Sequence, residues 1–188
     1  NQHKPKVFLE VGVFCGVTAR NVCELLNVIH SGNFKYVGID LFGDKANEDE
    51  KAPNYLKKQS FSNPIKNLFY NIILRENLNS YESVQKFLKK FSNNITLIKG
   101  NSNKILQHLD MENIDFAFLD GGHSFETVFS DLNLLFDKIS LNKDAIILCD
   151  DYDDADYITG VKRAVDQFVK EKKLKFEIIE KRFAKITI

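Results

Sequence analysis

The sequence predicts an α/β protein built on a Rossmann-like, doubly wound sheet of seven strands, mostly parallel with a reversed last strand. Two observations predict this fold class. Five short, nearly continuous apolar runs alternate with helical patterns, which is typical of parallel strands that helices cover on both faces. The last two runs, 175–180 and 183–188, are separated only by Lys181 and Arg182, so they predict an antiparallel C-terminal hairpin.

The predicted elements alternate along the chain. We predict strands where apolar residues run almost without a break, at 6–13, 36–40, 95–99, 114–120, 145–150, 175–180 and 183–188. Helices are predicted between them at 18–29, about 80–91, 103–109, 125–139 and 157–173. A doubly wound sheet with strand order 3-2-1-4-5 opens its ligand crevice between strands one and four.

The stretch between the second and third strands is too long for a single crossover helix. About 54 residues separate Asp40 from Ile95, so we predict an inserted helical segment at about 43–79. Asn63 and Pro64 are typical of a helix cap and first turn, and apolar residues follow at helical spacing. Two interpretations stay open, a surface helix packed on the domain and a lid over the ligand site. The whole chain, 1–188, is predicted to form a single domain.

Composition excludes several classes of partner. The 188 residues carry 26 basic and 26 acidic side chains, and this zero net charge argues against a general nucleic-acid clamp. No apolar run approaches the roughly 20 residues that cross a bilayer, and the first residues lack the apolar stretch of a secretory signal. Cys15, Cys23 and Cys149 are odd in number and widely spaced, which predicts reduced thiols in a cytoplasmic protein. A homodimer stays open.

Polar and glycine residues follow four of the five apolar strands at the edge where parallel strands end. They are Glu10, Gly12, Gly16 and Thr18 after strand one, Asp40 after strand two, Asp120 and His123 after strand four, and Asp150 and Asp151 after strand five. An acid at the tip of strand two can accept hydrogen bonds from a ribose, and glycines let the backbone approach a ligand. The sequence therefore predicts a nucleoside-bearing cofactor. A dinucleotide is the second interpretation, because the full G-x-G-x-x-G pattern is absent.

Three of these acids predict a cation site. Carboxylates that converge within about 4 Å repel by roughly 4 kcal/mol per pair, so Asp120, Asp150 and Asp151 predict a counter-cation, and Mg²⁺ is the ion expected for oxygen ligands. The alternative is a solvated acidic loop, since five acids stand between 150 and 156. Adjacent residues of a regular strand point to opposite faces, so two neighbouring acids can share one ion only where the strand breaks.

The motifs that carry these residues resemble a known family. In chain order they are EVGVFCGVT, YVGID, LIKGNSNKIL, FAFLDGGH and LCDDY. Together they resemble class I S-adenosylmethionine-dependent methyltransferases, most closely the metal-dependent O-methyltransferases of the catechol type and the bacterial macrocin and sugar relatives. The similarity covers about 7–42 and 95–152. It implies S-adenosylmethionine and a divalent cation as cofactors, and a reversed last strand.

The resemblance also implies roles for single residues. Glu10, Gly12, Gly16 and Thr18 would hold the methionine part of the cofactor, Asp40 the ribose, and Gly100, Asn101, Ser102 and Asn103 the adenine, although many relatives have Asp where this chain has Asn101. Asp120, Asp150 and Asp151 would be the metal ligands. Asp120 would also contact the cofactor and take part in catalysis.

His123 is the departure from the catechol enzyme, which has a lysine base three residues after its first metal aspartate. A histidine can accept a proton at neutral pH, so His123 is predicted to be the catalytic base. The alternative is an imidazole that caps the helix starting near Ser124. The predicted function is metal-assisted O-methylation of a small-molecule hydroxyl. An NAD-type oxidoreductase and a non-catalytic cofactor-binding module are the alternatives.

Overall fold

The structure, a computed structural model, describes residues 3–43, 64–65, 78–111, 113–139, 144–153 and 158–188. Its seven strands are β1 (Val7–Val11), β2 (Lys35–Asp40), β3 (Ile95–Lys99), β4 (Phe116–Leu119), β5 (Ile146–Cys149), β6 (Lys175–Ile179) and β7 (Phe183–Thr187). The described helices are α1 (Val17–His30), α2 (Tyr81–Phe87), α3 (Ser102–His108), α4 (Phe125–Ile139) and α5 (Ile158–Lys172).

The strand order is β3-β2-β1-β4-β5-β7-β6. The first five strands are parallel, and β7 runs antiparallel to both β5 and β6. This confirms the predicted order of the first five strands and the reversed strand of the terminal hairpin. Because β1 pairs with both β2 and β4, the crevice predicted by the topology opens at the centre of the sheet.

Helices cover both faces of the sheet, and each face has its own apolar core. Alternate residues of one strand enter different cores: Phe8 packs with α1 and α2, whereas Leu9 packs with α3, α4 and α5. The core on the face covered by α1 contains stacked aromatic rings. The ring centroid of Phe8 lies 5.9 Å from that of Tyr36 and 5.0 Å from that of Phe116. Burial on both faces explains why the central strands read as nearly continuous apolar runs.

Most predicted elements differ from the observed ones at their ends, and two of these differences show how the chain ends an element. The first strand was expected to reach Val13 but ends at Val11, because Gly12 turns the chain with a φ of +91°. The helix expected at about 80–91 ends as α2 at Phe87, and a separate 3₁₀ turn follows over Lys89–Phe91. Its start is set by Ser80, whose Oγ accepts the Ser83 backbone N–H.

Most of the predicted insert at 43–79, including the proposed cap residue 63, lies outside the described residues. Only residue 43, the exposed helical pair Pro64 and Ile65, and residues 78–79 are described. Whether the segment is a lid or a surface helix therefore stays a prediction. In the part of the chain that is described, no helix is long and apolar enough to cross a membrane.

Candidate functional site

The predicted site residues line up along the carboxyl edge of the sheet. Backbone hydrogen bonds join each strand end to the next: Gly100 N–H donates to Asp40 O, Gly12 N–H to Ile39 O, Asp120 N–H to Val11 O and Asp150 N–H to Leu119 O, all at 2.8–2.9 Å. The order across the edge is therefore Gly100, Asp40, Gly12, Asp120 and Asp150. The topology brings together residues that are up to 138 positions apart.

Gly12 is placed where no side chain fits. A Cβ added there would lie 2.0 Å from the carbonyl oxygen of Asp120 and 2.8 Å from the Cα of Gly121. With a φ of +91°, the position also has a backbone conformation that L residues rarely adopt. The glycine therefore lets the turn after β1 pack directly on the turn after β4.

Gly16 starts the helix that follows this turn. It has a φ of +79° at the N-cap of α1, and its N–H donates to Val13 O at 2.9 Å. As a glycine, it gives this end of the helix no side-chain cap of its own. Thr18 lies exposed in the first turn of α1. The first-turn N–H groups of a helix are donors suited to a carboxylate or another anionic group.

Asp40 holds the turn after β1 in place. Its Oδ2 accepts the Phe14 N–H at 2.9 Å, and its Oδ1 accepts the Phe42 N–H at 2.5 Å. Each carboxylate oxygen can accept a second hydrogen bond, so these contacts are compatible with a ribose at the same side chain. Phe14 is 42% exposed and has a φ of +50°.

Glu10 is buried rather than exposed at the edge. Its side chain is fully buried, and its Oε2 accepts a short hydrogen bond from the hydroxyl of Tyr36. Its Oε1 has no hydrogen-bond partner among the residues that the structure describes. Burial raises the pKa of Glu10 to about 8, although the Tyr36 hydroxyl opposes this shift. The carboxyl is thus predominantly protonated at neutral pH.

Two of the four residues in the stretch predicted to bracket adenine use their side chains to bind α4. Ser102 Oγ donates to Asp131 Oδ2 at 2.9 Å, and Asn103 Nδ2 donates to Asp131 Oδ1 at 2.5 Å. Asp131 belongs to α4 and is buried. It therefore fixes the start of α3 behind Gly100 and Asn101, which remain at the edge. Asn101 is the N-cap residue of α3 but makes no side-chain cap hydrogen bond.

The three predicted metal ligands come together beside Gly12. β5 ends at Cys149, and Asp151 has a φ of +55°, so the strand breaks where two adjacent acids must face one side. Burial, the largest cause, and the nearby Asp150 and Asp151 carboxylates together raise the pKa of Asp120 to about 7, whereas Arg182 acts in the opposite direction. The acids line a cleft with Gly121, His123 and Val161.

Arg182 places a positive charge against two of these acids, Asp150 and Asp151. Its Nε donates a short hydrogen bond to Asp150 Oδ1, and its Nη2 donates to Asp150 Oδ2 at 2.6 Å. The same Nη2 lies 3.7 Å from Asp151 Oδ1. Both oxygens of Asp150 are thus engaged by one guanidinium, in the bidentate geometry that suits an arginine and a carboxylate.

The carboxylates in this arrangement do not fit a divalent ion. Among the described residues, no group of three or more His, Cys, Asp and Glu side chains is arranged to hold a metal. Asp150 Oδ1 also accepts the Asp151 N–H at 2.7 Å, in addition to the contact with Arg182. A metal at Asp150 would have to displace the guanidinium.

His123 faces the acidic cluster. Its Nε2 lies 3.2 Å from Asp151 Oδ2, and the imidazole is 37% exposed. The side-chain cap at the start of α4 is Ser124, whose Oγ accepts the Thr127 N–H at 3.2 Å. The backbone of His123 packs closely against α5. A Cβ added at Gly160, which belongs to α5, would lie 1.9 Å from the His123 carbonyl oxygen.

Three further residues shape the site without having been predicted. They are Tyr36, which holds Glu10, Asp131, which holds the start of α3, and Arg182, which holds Asp150. Each is distant in the sequence from the residue that it holds. Their only signal in the sequence is a polar residue among apolar ones, as for Asp131 within α4, or a cation beside the terminal hairpin, as for Arg182.

The chain is similar to known proteins both in its sequence and in its fold. The family described as Methyltransferase domain matches residues 9–152, which is more than half of the chain. No curated protein matches the sequence. Among solved structures, the O-methyltransferase NovP is 16% identical with a TM-score of 0.67, over 97% of this chain and 72% of that one.

Two other solved structures share the fold at similar distance. CalS11, described as TDP-rhamnose 3'-O-methyltransferase of calicheamicin biosynthesis, is 17% identical with a TM-score of 0.60, over 97% of this chain and 71% of that one. Cofactor-bound Rv0187 from MTB is 14% identical with a TM-score of 0.63, over 98% and 73%. The family match favours methyl transfer over the NAD-type oxidoreductase. The chain therefore belongs to the methyltransferase domain family, as its resemblance to class I S-adenosylmethionine-dependent methyltransferases predicted.

Proposed function

We propose that this chain transfers the methyl group of S-adenosylmethionine to a hydroxyl oxygen of a small molecule. The observation that carries the proposal is the row formed by Gly100, Asp40, Gly12 and Asp120 along one sheet edge, with His123 beside its end. The family match supports methyl transfer. Support for oxygen as the acceptor atom comes from the printed names of NovP and CalS11, which are O-methyltransferases.

The residues of the row fit the three parts of the cofactor. In this proposal, Gly12, Gly16 and Thr18 receive the methionine part, because a backbone without a side chain at Gly12 can approach closely and the first-turn N–H groups of a helix have no intrahelical partner. Asp40 accepts the ribose hydroxyls, and Gly100 with Asn101 borders the adenine. When bound, S-adenosylmethionine supplies the sulfonium methyl group.

His123 removes the proton of the acceptor hydroxyl in the proposed reaction. Its exposed imidazole lies at the cleft, and Asp151, 3.2 Å from Nε2, orients the ring and stabilises the imidazolium that forms. The hydroxyl oxygen forms the new bond to the methyl carbon, its proton goes to the imidazole, and the bond from sulfur to the methyl carbon breaks. Holding the two reactants in line supplies much of the rate.

The class of acceptor, the cellular location and the oligomeric state are proposed from the sequence. A small-molecule hydroxyl is proposed rather than nucleic acid, because the 26 basic side chains are balanced by 26 acidic ones. A cytoplasmic location is supported by three free cysteines, of which Cys23 and Cys149 are buried. A homodimer stays an open prediction.

A divalent cation carries no step of the proposed mechanism. The sequence predicts Mg²⁺ at Asp120, Asp150 and Asp151, but Arg182 already contacts both oxygens of Asp150. Metal assistance therefore stays a prediction of the sequence. It is tested directly by comparing turnover before and after exhaustive chelation.

Methyl-labelled S-adenosylmethionine and a library of catechols, sugars and nucleotide sugars test the proposal. We expect at least one product that carries the label on oxygen, and turnover that falls in the His123→Ala variant. The non-catalytic module predicts cofactor binding without any labelled product across the library. Label on nitrogen or carbon instead would contradict the assignment of oxygen as the acceptor atom.

A further inference from the structure

The terminal hairpin places Arg182 at the acidic cluster by backbone contacts alone. Arg182 directly precedes β7, which pairs with β5 so that Ala184 stands opposite Cys149. The Tyr152 N–H donates to the Arg182 carbonyl oxygen at 2.8 Å, and the Arg182 N–H donates to Ile179 O at 3.1 Å. The chain on either side of Asp150 is therefore fixed beside Arg182, whatever the side chains do.

The guanidinium is held on three sides. It makes two hydrogen bonds to Asp150, whose side chain is only 4% exposed, and it approaches Asp151 Oδ1 to 3.7 Å. Its central carbon lies 5.3 Å from the ring centroid of Phe183, within the range of a cation–π contact. Such a planar fork matches a carboxylate in a way that a lysine ammonium does not.

We propose that Arg182 is the resident counter-cation of the Asp120, Asp150 and Asp151 cluster and stands in the place of a divalent ion. A single guanidinium lowers the repulsion among the three converging carboxylates, because its positive charge lies against Asp150 and near Asp151. It also occupies both oxygens of Asp150, so a metal can enter only after these hydrogen bonds break. The wild-type site therefore disfavours divalent ions, and removal of the guanidinium opens it to them.

The consequence for turnover rests on the proposed function. If the chain transfers methyl groups as proposed, the reaction continues after chelation, because the charge at the cluster is supplied by the chain itself. The binding claim is independent of that function, since it concerns only which cation the carboxylates hold. The two can therefore fail separately.

Lys185 provides a matched control on the same strand. Its Nζ lies 2.6 Å from Glu177 Oε1, across the β6–β7 pair and away from the cluster. Lys185→Gln removes one positive charge from β7, as Arg182→Gln does from the residue before β7. Only the second change removes a cation from Asp150.

The experiment measures thermal unfolding of the full chain with increasing Mn²⁺, for wild type, Arg182→Gln and Lys185→Gln. A ligand that binds only the folded state raises the midpoint. We expect the Arg182→Gln midpoint to rise by about 5 °C or more at Mn²⁺ roughly a hundredfold above its dissociation constant, while wild type and Lys185→Gln do not respond. Adding Asp150→Asn to Arg182→Gln should remove the response.

An equal response to Mn²⁺ in wild type and Arg182→Gln, whether present or absent in both, would overturn the proposal. If Arg182→Gln does not fold, Arg182→Lys replaces it, because lysine keeps the charge but loses the bidentate fork. That variant should respond more than wild type, and an unchanged midpoint would again overturn the proposal. S-adenosylhomocysteine binding to wild type, measured by calorimetry, separately tests the proposed function.

Discussion

The buried carboxyl of Glu10 predicts that this protein becomes less stable as the pH rises towards 8. Burial raises its pKa from 4.5 to about 8, because loss of water around the carboxylate outweighs the hydrogen bond from Tyr36. The negative charges of Asp120 and Asp40 contribute to this rise in pKa. The perturbation that isolates this group is Glu10→Gln, which is neutral at every pH and can still accept the Tyr36 hydroxyl.

The sign and size follow from the two pKa values. Between pH 4.5 and about 8 the folded protein keeps the Glu10 proton while the unfolded chain loses it, so the free energy of unfolding falls as pH rises. The contribution is fully present below pH 4.5 and lost as pH passes through about 8. One pKa unit corresponds to about 1.4 kcal/mol. Loss of the Glu10 proton in the unfolded chain therefore lowers the free energy of unfolding by roughly 3 kcal/mol at pH 7, relative to its value at low pH.

Urea denaturation of wild type and Glu10→Gln at pH 5, 6, 7 and 8.5 measures this cost. The two proteins should agree within about 1 kcal/mol at pH 5, and the variant should be more stable by roughly 3 kcal/mol at pH 7. All other titrating groups are shared, so the difference between the proteins isolates Glu10. A difference that stays constant from pH 5 to 8.5 would refute the raised pKa and the burial that causes it.

Three further predictions concern the site. Gly12→Ala should abolish S-adenosylhomocysteine binding in calorimetry, because the new Cβ would lie 2.0 Å from a backbone carbonyl oxygen; Gly32→Ala, also at positive φ but with its nearest contact at 3.7 Å, should bind normally. Asp40→Asn should weaken that binding about tenfold. Asp115→Asn is the control and should leave that binding unchanged, because Asp115 also accepts two backbone N–H groups but at the opposite end of β1. Equal affinities of the Asp40→Asn and Asp115→Asn variants would contradict the ribose assignment. His123→Ala should lower turnover about a hundredfold at unchanged S-adenosylhomocysteine affinity, and unaltered turnover would exclude it as the base.

The sheet and its functional edge could be predicted because their signals are local. Each central strand is a short apolar run, and the handedness and order of parallel connections leave few topologies. Once the order is known, the residues that follow each strand must meet at one edge. The positions of Gly12, Asp40 and Asp120 at this edge were predicted in this way, and backbone hydrogen bonds join that edge as expected.

What could not be predicted depends on register and on burial. Arg182 reaches Asp150 only because β7 pairs with β5 in one particular register, which no local pattern encodes. Whether Glu10 faces the ligand or the core depends on which side of β1 it occupies. It lies on the same side of the sheet as Tyr36 of β2, whose buried hydroxyl donates to it. Contacts between distant elements thus determine the electrostatics of the site.

The side chains of Ser102 and Asn103 illustrate the same limit. The sequence places both in the predicted adenine stretch, and they do start α3 at the correct edge. Their side chains nevertheless bind Asp131, a buried acid on α4. A motif locates a segment, whereas the partner of each side chain depends on the packing around it.

Calorimetric titration with S-adenosylhomocysteine, with NADH as the comparison ligand, tests the central claim most directly. The edge formed by Gly12, Asp40 and Gly100 predicts saturable binding of S-adenosylhomocysteine and none of NADH, with or without Mg²⁺. Binding of NADH alone, or of neither ligand, would contradict a methyl-transfer site at this edge.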